Sequence, residues 1–149
     1  MEHLLKSHIL NANFAEASKL AKMMEVSKLN ELLIELAFEC SEDIIIYTFV
    51  CHLLIEQESE ALHSLACGLL CHPFCHIGGA YKSALYHTRK ALMLDPEHIG
   101  HKEMLLFFYE VPDLPDESIT KEEALNIANQ ILEKEPHNQI AKDFIKNFA

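Results

Sequence analysis

Ala84-Leu-Tyr-His-Thr-Arg-Lys-Ala-Leu-Met-Leu-Asp-Pro96 has an echo forty residues later, Ala124-Leu-Asn-Ile-Ala-Asn-Gln-Ile-Leu-Glu-Lys-Glu-Pro136. Aligned, Ala84 meets Ala124, Leu85 meets Leu125, Ala91 meets Ile131, Leu92 meets Leu132 and Pro96 meets Pro136. Each copy sets small or apolar residues at three-and-four spacing, the mark of one helix face, and ends on an acidic residue and a proline. Repetition at such a period implies helical hairpins stacked side by side, because one hairpin alone cannot bury its apolar face.

The rest of the chain agrees. Half of the 149 residues are apolar and only four are glycine, which excludes disorder and a turn-rich β fold. The length suits one domain with a real core. An amphipathic segment at 2–11 carries Leu4, Leu5, Ile9 and Leu10. Asn13-Phe14-Ala15-Glu16 reads as a capping box opening a helix to about 24. Ser27 is expected to cap a helix over 28–40, with Leu29, Leu32, Leu33, Leu36 and Ala37 inward and Ile34 and Phe38 widening the stripe. Ser41-Glu42-Asp43 starts the next helix. Its Ile44-Ile45-Ile46 run suits a strand by propensity, but the long unbroken apolar stretch after a helix start predicts a central, buried helix. Further helices are expected from Glu58 or Ser59 to about Cys71 and over 80–94. Asp95-Pro96 then starts a helix to Tyr109, Thr120-Lys121-Glu122-Glu123 caps one over 121–134, and Pro136 starts the last. The expectation is an all-α fold of seven to nine antiparallel helices, as a single domain with hairpins over 1–78 and a repeat region over 79–149.

The two quoted segments resemble the second helix of a tetratricopeptide repeat. Ala84, Ala91 and Pro96 match the small, small and proline positions, with Thr88 in the bulky slot, and Ala124, Ala128, Ile131 and Pro136 match more loosely. The first-helix signature of Trp, Leu-Gly and Tyr is degenerate, and the period of forty exceeds the family's roughly 34 through a loop at 111–118. The resemblance covers about 79–149 and implies a protein-binding scaffold, either a superhelix or a compact array. It carries over no peptide-clamp residues.

No spacing of chemical side chains completes a catalytic motif. His63, Cys67, Cys71, His72, Cys75 and His76 form the densest cluster, but there is no C-x-x-C pair and Pro73 interrupts the helix. Cys51-His52 and Cys71-His72 are adjacent pairs whose side chains diverge on a helix. Gly78-Gly79-Ala80-Tyr81-Lys82-Ser83 lacks phosphate-loop spacing and a preceding strand. The expectation is therefore no catalytic residue, no cofactor and no metal ligand. A zinc- or thiol-dependent enzyme centred on 63–76 stays the third reading.

Charge is more informative. With 23 acidic and 12 basic residues the net charge is −11, which disfavours nucleic acid and anionic membrane and favours a basic protein partner. No lysine or arginine lies between Lys28 and Lys82, while Glu31, Glu35, Glu39, Glu42 and Asp43 fall there. Glu31, Glu35 and Glu39 share a helix face, where like charges cost a few tenths of a kcal/mol per pair, roughly. A solvated face accounts for them as solubility; a binding face accounts for them as steering. The loop with Glu110, Asp113, Asp116 and Glu117 is the second candidate surface, with an exposed Leu114 as apolar anchor. The five cysteines and the lack of a signal peptide suit free thiols in a reducing cytoplasm. In size, acidity and helical character the chain resembles the immunity partners of bacterial toxins. That implies a non-catalytic inhibitor masking a basic toxin nuclease. A helical-repeat adaptor or chaperone holding a peptide in a groove lined by asparagine, lysine and aromatic residues is the alternative.

Overall fold

The computed structural model describes residues 1–149, the side chain of Asp116 excepted. Among the described residues the fold is all-α. Nine helices follow in order: α1 Glu2–Leu10, α2 Phe14–Ala21, α3 Val26–Glu39, α4 Ile45–Glu56, α5 Glu60–Cys71, α6 Ala80–Leu94, α7 Ile99–Tyr109, α8 Lys121–Lys134 and α9 Gln139–Phe148. A 3-10 turn at Asp116–Ser118 lies in the long α7–α8 connection. None of the helices is long and apolar enough to cross a membrane.

Two cores form, and α5 contributes to both. The first is built on α4, whose Ile46, Phe49 and Val50 are fully buried against Leu5 and Ile9 of α1, Leu33 of α3 and Leu69 of α5. The β-branched run is thus helical, as its length and flanks predict. The second gathers Leu70 of α5, Ala84 of α6, Leu106 and Phe108 of α7, Ala128 of α8 and Phe144 of α9. Consecutive helices pack on one another from α4 to α9, with α5 against α6 the most extensive pairing. The repeat positions are packing positions: Ala84, Thr88, Ala91, Ala124, Ala128 and Ile131 are all buried. Small residues there let neighbouring helix axes approach closely.

The helix starts differ from the sequence reading at several points. Pro96 and Pro136 do not open helices. Each sits in a tight turn, closed by His98 N–H donating to the Asp95 carbonyl at 3.2 Å and by Asn138 N–H to the Glu135 carbonyl at 3.0 Å. Proline suits the second turn position because its φ is preset, and α7 and α9 then start three residues later, capped by His98 and Asn138. Asn13 makes no side-chain cap bond; its amide meets His8 Nδ1 instead. Asn13 N–H reaches the His8 carbonyl and Ala12 N–H the Ile9 carbonyl, a Schellman closure of α1 that puts Ala12 at φ 57. Ser27 lies inside the first turn of α3, whose N-cap is Glu25. Ser41 and Glu42 lie in the turn before α4, and Asp43 Oδ1 accepts from the Ile45 N–H. Ser59 and Thr120 cap α5 and α8 as expected, accepting from Leu62 and Glu123 N–H. The second half of the Thr120 capping box is absent, because the Glu123 carboxylate turns to Arg89.

That contact joins α6 to α8. Arg89 donates from both terminal nitrogens to Glu123, at 2.6 and 3.1 Å, and from Nη2 to the Ser118 carbonyl at 2.8 Å. A bidentate fork of this kind is stronger than an ordinary surface pair, although both side chains keep partial solvent access. Arg89→Met is expected to cost about 1–2 kcal/mol, measured by urea denaturation, and Arg89→Lys nearly as much because lysine cannot form the fork. Wild-type stability in Arg89→Lys would show that charge alone matters there.

Candidate functional site

The periodicity of α3 decides which side chains it displays. Leu29, Leu32, Leu33, Leu36 and Ala37 face the first core. The opposite side carries Glu31, Glu35 and Glu39, all exposed as their four-residue spacing predicts. Ile34 and Phe38 do not widen the buried stripe. They are turned out beside the acids, and Phe38 is 58% exposed. Five inward positions already fill the contact with α4 and α5, and residues 34 and 38 lie on the far side of the helix from them. The result is an exposed apolar pair, Ile34 and Phe38, beside a stripe of carboxylates. Glu42 and Asp43 extend the acidic surface into the α3–α4 turn, both exposed.

Little positive charge offsets this face beyond the exposed Lys28, one turn before Glu31 on α3. Lys6 approaches Glu39 at 3.8 Å and His76 approaches Glu42 at 3.4 Å. Glu31 and Glu35 have no ion pair within 4.0 Å among the described residues. Farther along, Glu56 is committed elsewhere: the Ser18 hydroxyl and Lys22 Nζ hold its carboxyl down to about 2.

The α7–α8 loop behaves differently. Glu110, Asp113 and Glu117 are exposed, and Asp116 lies outside the described side chains. Leu114 is not an exposed anchor. It is 8% exposed and belongs to the second core, because the loop folds back over Phe108 and Ile119 and gives its one leucine a place inside. The two acidic surfaces approach each other across the 72–79 connection. His76 reaches Glu42 on one side, while Cys75, His76 and Gly78 share a cleft with Asp113 and Leu114 on the other.

The 63–76 cluster is dispersed. Cys67 and Cys71 stay together, Sγ to Sγ 4.0 Å, with the Thr88 hydroxyl donating to Cys67 Sγ at 3.2 Å. The contact with Cys71, helped by the Thr88 hydroxyl, draws the Cys67 thiol down to about 7 and correspondingly pushes the Cys71 thiol up. His72, Cys75 and His76 are exposed in the connection. His63 joins a different network that sequence spacing does not announce. Glu58 Oε1 lies 2.7 Å from His63 Nε2, His63 Nδ1 lies 2.9 Å from His87 Nδ1, and His87 Nε2 lies 2.7 Å from the Tyr47 hydroxyl. A carboxylate only accepts, so His63 donates from Nε2, and with both rings neutral it accepts at Nδ1. His87 then donates from Nδ1 and accepts the Tyr47 O–H at Nε2. Every member is satisfied, and the chain ties α4, α5 and α6 together. Burial and then Cys51 push the Tyr47 hydroxyl up, and His63 holds Glu58 down. His52 of the Cys51-His52 pair turns to Glu56 at 3.1 Å.

A cleft between α6 and α8 is lined by Arg89, Met93, Lys102 and Asn126 with Leu92 and Leu105. It has the amides and cations of a peptide groove but aliphatic side chains in place of aromatic ones.

Fold and surface together define a class: an all-α array of helical hairpins carrying an acidic helix face with an exposed phenylalanine beside it. Comparison with protein-family models, curated proteins and solved structures yields no match to this chain.

Proposed function

We propose that this chain is a non-catalytic protein-binding module that holds a basic partner on the outer face of α3. The observation that carries the reading is the exposure of Phe38 beside the stripe of Glu31, Glu35 and Glu39. A solubility surface needs only the carboxylates. An exposed phenylalanine beside them adds the buried aromatic anchor on which interface affinity concentrates, while the carboxylates steer a cationic surface onto it. The narrower form of this reading is an immunity or inhibitor protein that masks the basic active site of a toxin nuclease in the cytoplasm. The net charge of −11 and five free thiols suit it. The tetratricopeptide-like character of 79–149 enters as scaffold: buried Ala84, Ala91, Ala124 and Ala128 support α5–α6 and α7–α8 as the stacked hairpins.

The test is affinity capture from the source cell, followed by stopped-flow association with the captured protein. Changing Glu31, Glu35 and Glu39 together to Gln is expected to slow association by about tenfold or more at low salt, with helicity unchanged. Phe38→Ala is expected to speed dissociation while sparing the association rate. If the triple change leaves rate and affinity untouched, α3 is not the binding face and the exposed acids of the α7–α8 loop become the next surface to alter. Growth rescue on co-expression with the captured partner separates the inhibitor form from a plain adaptor.

A further inference from the structure

Two local choices in the first turn of α7 run against ordinary helix chemistry. Four helices have a side-chain N-cap bond; α5, α8 and α9 use Ser59, Thr120 and Asn138, while α7 uses His98. Histidine is outside the preferred set for that position. Two residues on stands Gly100, whose backbone is not in the left-handed region. A glycine inside a helix without a conformational need is a net loss against alanine. Its use here is clearance: a Cβ at position 100 would meet His98 Cε1 at 3.0 Å and Nδ1 at 3.3 Å. Both choices bring the His98 imidazole to the helix start beside His101, with ring centroids 3.8 Å apart. His101 is buried, and its Nε2 contacts the carboxylate of Glu60 in the first turn of α5. One donor atom from each of Glu60, His98 and His101 lies within 4.8 Å of the others. Local rules broken together at one place point to a site rather than to stability.

We infer that Glu60, His98 and His101 bind a divalent transition-metal ion of the zinc type. Two imidazoles and a carboxylate are the donor set zinc takes when it keeps a fourth position open. A tetrahedral ion with bonds of about 2.1 Å places its donors about 3.4 Å apart. Reaching that from the present geometry asks for two changes. The Glu60 carboxylate, which has partial solvent access, draws back from His101 to admit the ion. The exposed His98 ring turns from its place beside His101 and releases the His101 N–H that its Nδ1 now accepts at 3.2 Å, because a metal must lie in the plane of each ring it binds. His101 stays fixed by its burial. Bound there, the ion clamps the start of α5 to the start of α7 and so ties the shared helix of the two cores to the repeat region. The thiols of Cys67, Cys71 and Cys75 take no part.

The test uses the full chain, stripped of metal with a chelator under reducing conditions, titrated with zinc by calorimetry and with cobalt by absorption. One zinc per chain is expected, together with a zinc-dependent rise in melting temperature. Cobalt should give the visible bands of a tetrahedral site without a sulfur-to-cobalt charge-transfer band. His98→Ala removes an exposed side chain and with it the α7 cap, a loss that circular dichroism reads separately, and it should weaken zinc by about 100-fold, as should Glu60→Gln. Cys71→Ser with Cys75→Ser should leave affinity unchanged. The inference is overturned if zinc fails to bind, if His98→Ala and Glu60→Gln bind as the wild type does, or if cobalt reports thiolate ligands.

Discussion

Phe49→Ala is expected to lower the stability of this protein by about 3–5 kcal/mol, the usual cost of emptying a fully buried phenylalanine site. Phe49 has no exposed surface. It lies on α4, which packs on α1, α2, α3 and α5. Its ring meets Phe14 of α2 at 5.4 Å and the His52 ring at 6.4 Å. Because helices from four directions rest on α4, no single neighbour can move in to fill the space without leaving another. Domains of this size have only about 5–15 kcal/mol of stability in total, so the variant should sit close to its unfolding midpoint in mild urea. The denaturation midpoint should fall with the slope unchanged. Phe38→Ala on the outer face of α3 is the matched control, expected to change stability by less than about 0.5 kcal/mol. Equal losses in the two variants would contradict the assignment of one phenylalanine to the core and the other to the surface.

Phe38 and Phe49 also show what the sequence makes legible. Helix identity follows from local pattern, so Leu29, Leu32, Leu33, Leu36 and Ala37 could be placed inside α3 by spacing alone, and the exposed Glu31, Glu35 and Glu39 with them. The fate of Phe38 depends on whether a tenth helix or a partner covers the far side, and that is a tertiary fact. Leu114 fails in the opposite direction: a polar, proline-rich loop reads as exposed, yet its leucine closes the second core. Pro96 and Pro136 were legible as punctuation but ambiguous in kind, since proline fits both the second position of a turn and the first of a helix. The histidine networks were out of reach. His63 and His87 are 24 positions apart and Glu60 and His101 are 41 apart, so neither pairing leaves a spacing motif. Gly100 was the one available signal for the second of them, a glycine inside a helical pattern with no turn to explain it.

Acidification provides the second large effect. Burial, and then the neighbouring His63, push the His87 imidazole from its ordinary 6.5 down to about 4. His87 is therefore neutral in the folded chain at pH values where it is already protonated in the unfolded one. The unfolded state then binds more protons, so stability falls as pH falls. The loss starts near the unfolded value of 6.5 and is complete below the folded value of about 4. The difference of these two values corresponds to at most about 3–4 kcal/mol, less whatever solvent access to the ring recovers. Glu58 adds to the loss at the acidic end, since its own carboxyl is held low by His63 and must be protonated there. Urea denaturation across this pH window is expected to show a steady decline for the wild type. His87→Gln separates the titration from the hydrogen bonds. Its amide can donate to His63 Nδ1 and its carbonyl can accept the Tyr47 O–H, so the Glu58–His63–residue 87–Tyr47 chain stays satisfied with no group at position 87 that titrates. The decline between pH 6.5 and the onset of carboxylate protonation should largely disappear in that variant. A wild-type profile that stays flat through this range would mean that His87 accepts a proton inside the fold without penalty, and the buried, directional chain would have to be redrawn with a charged histidine at its centre.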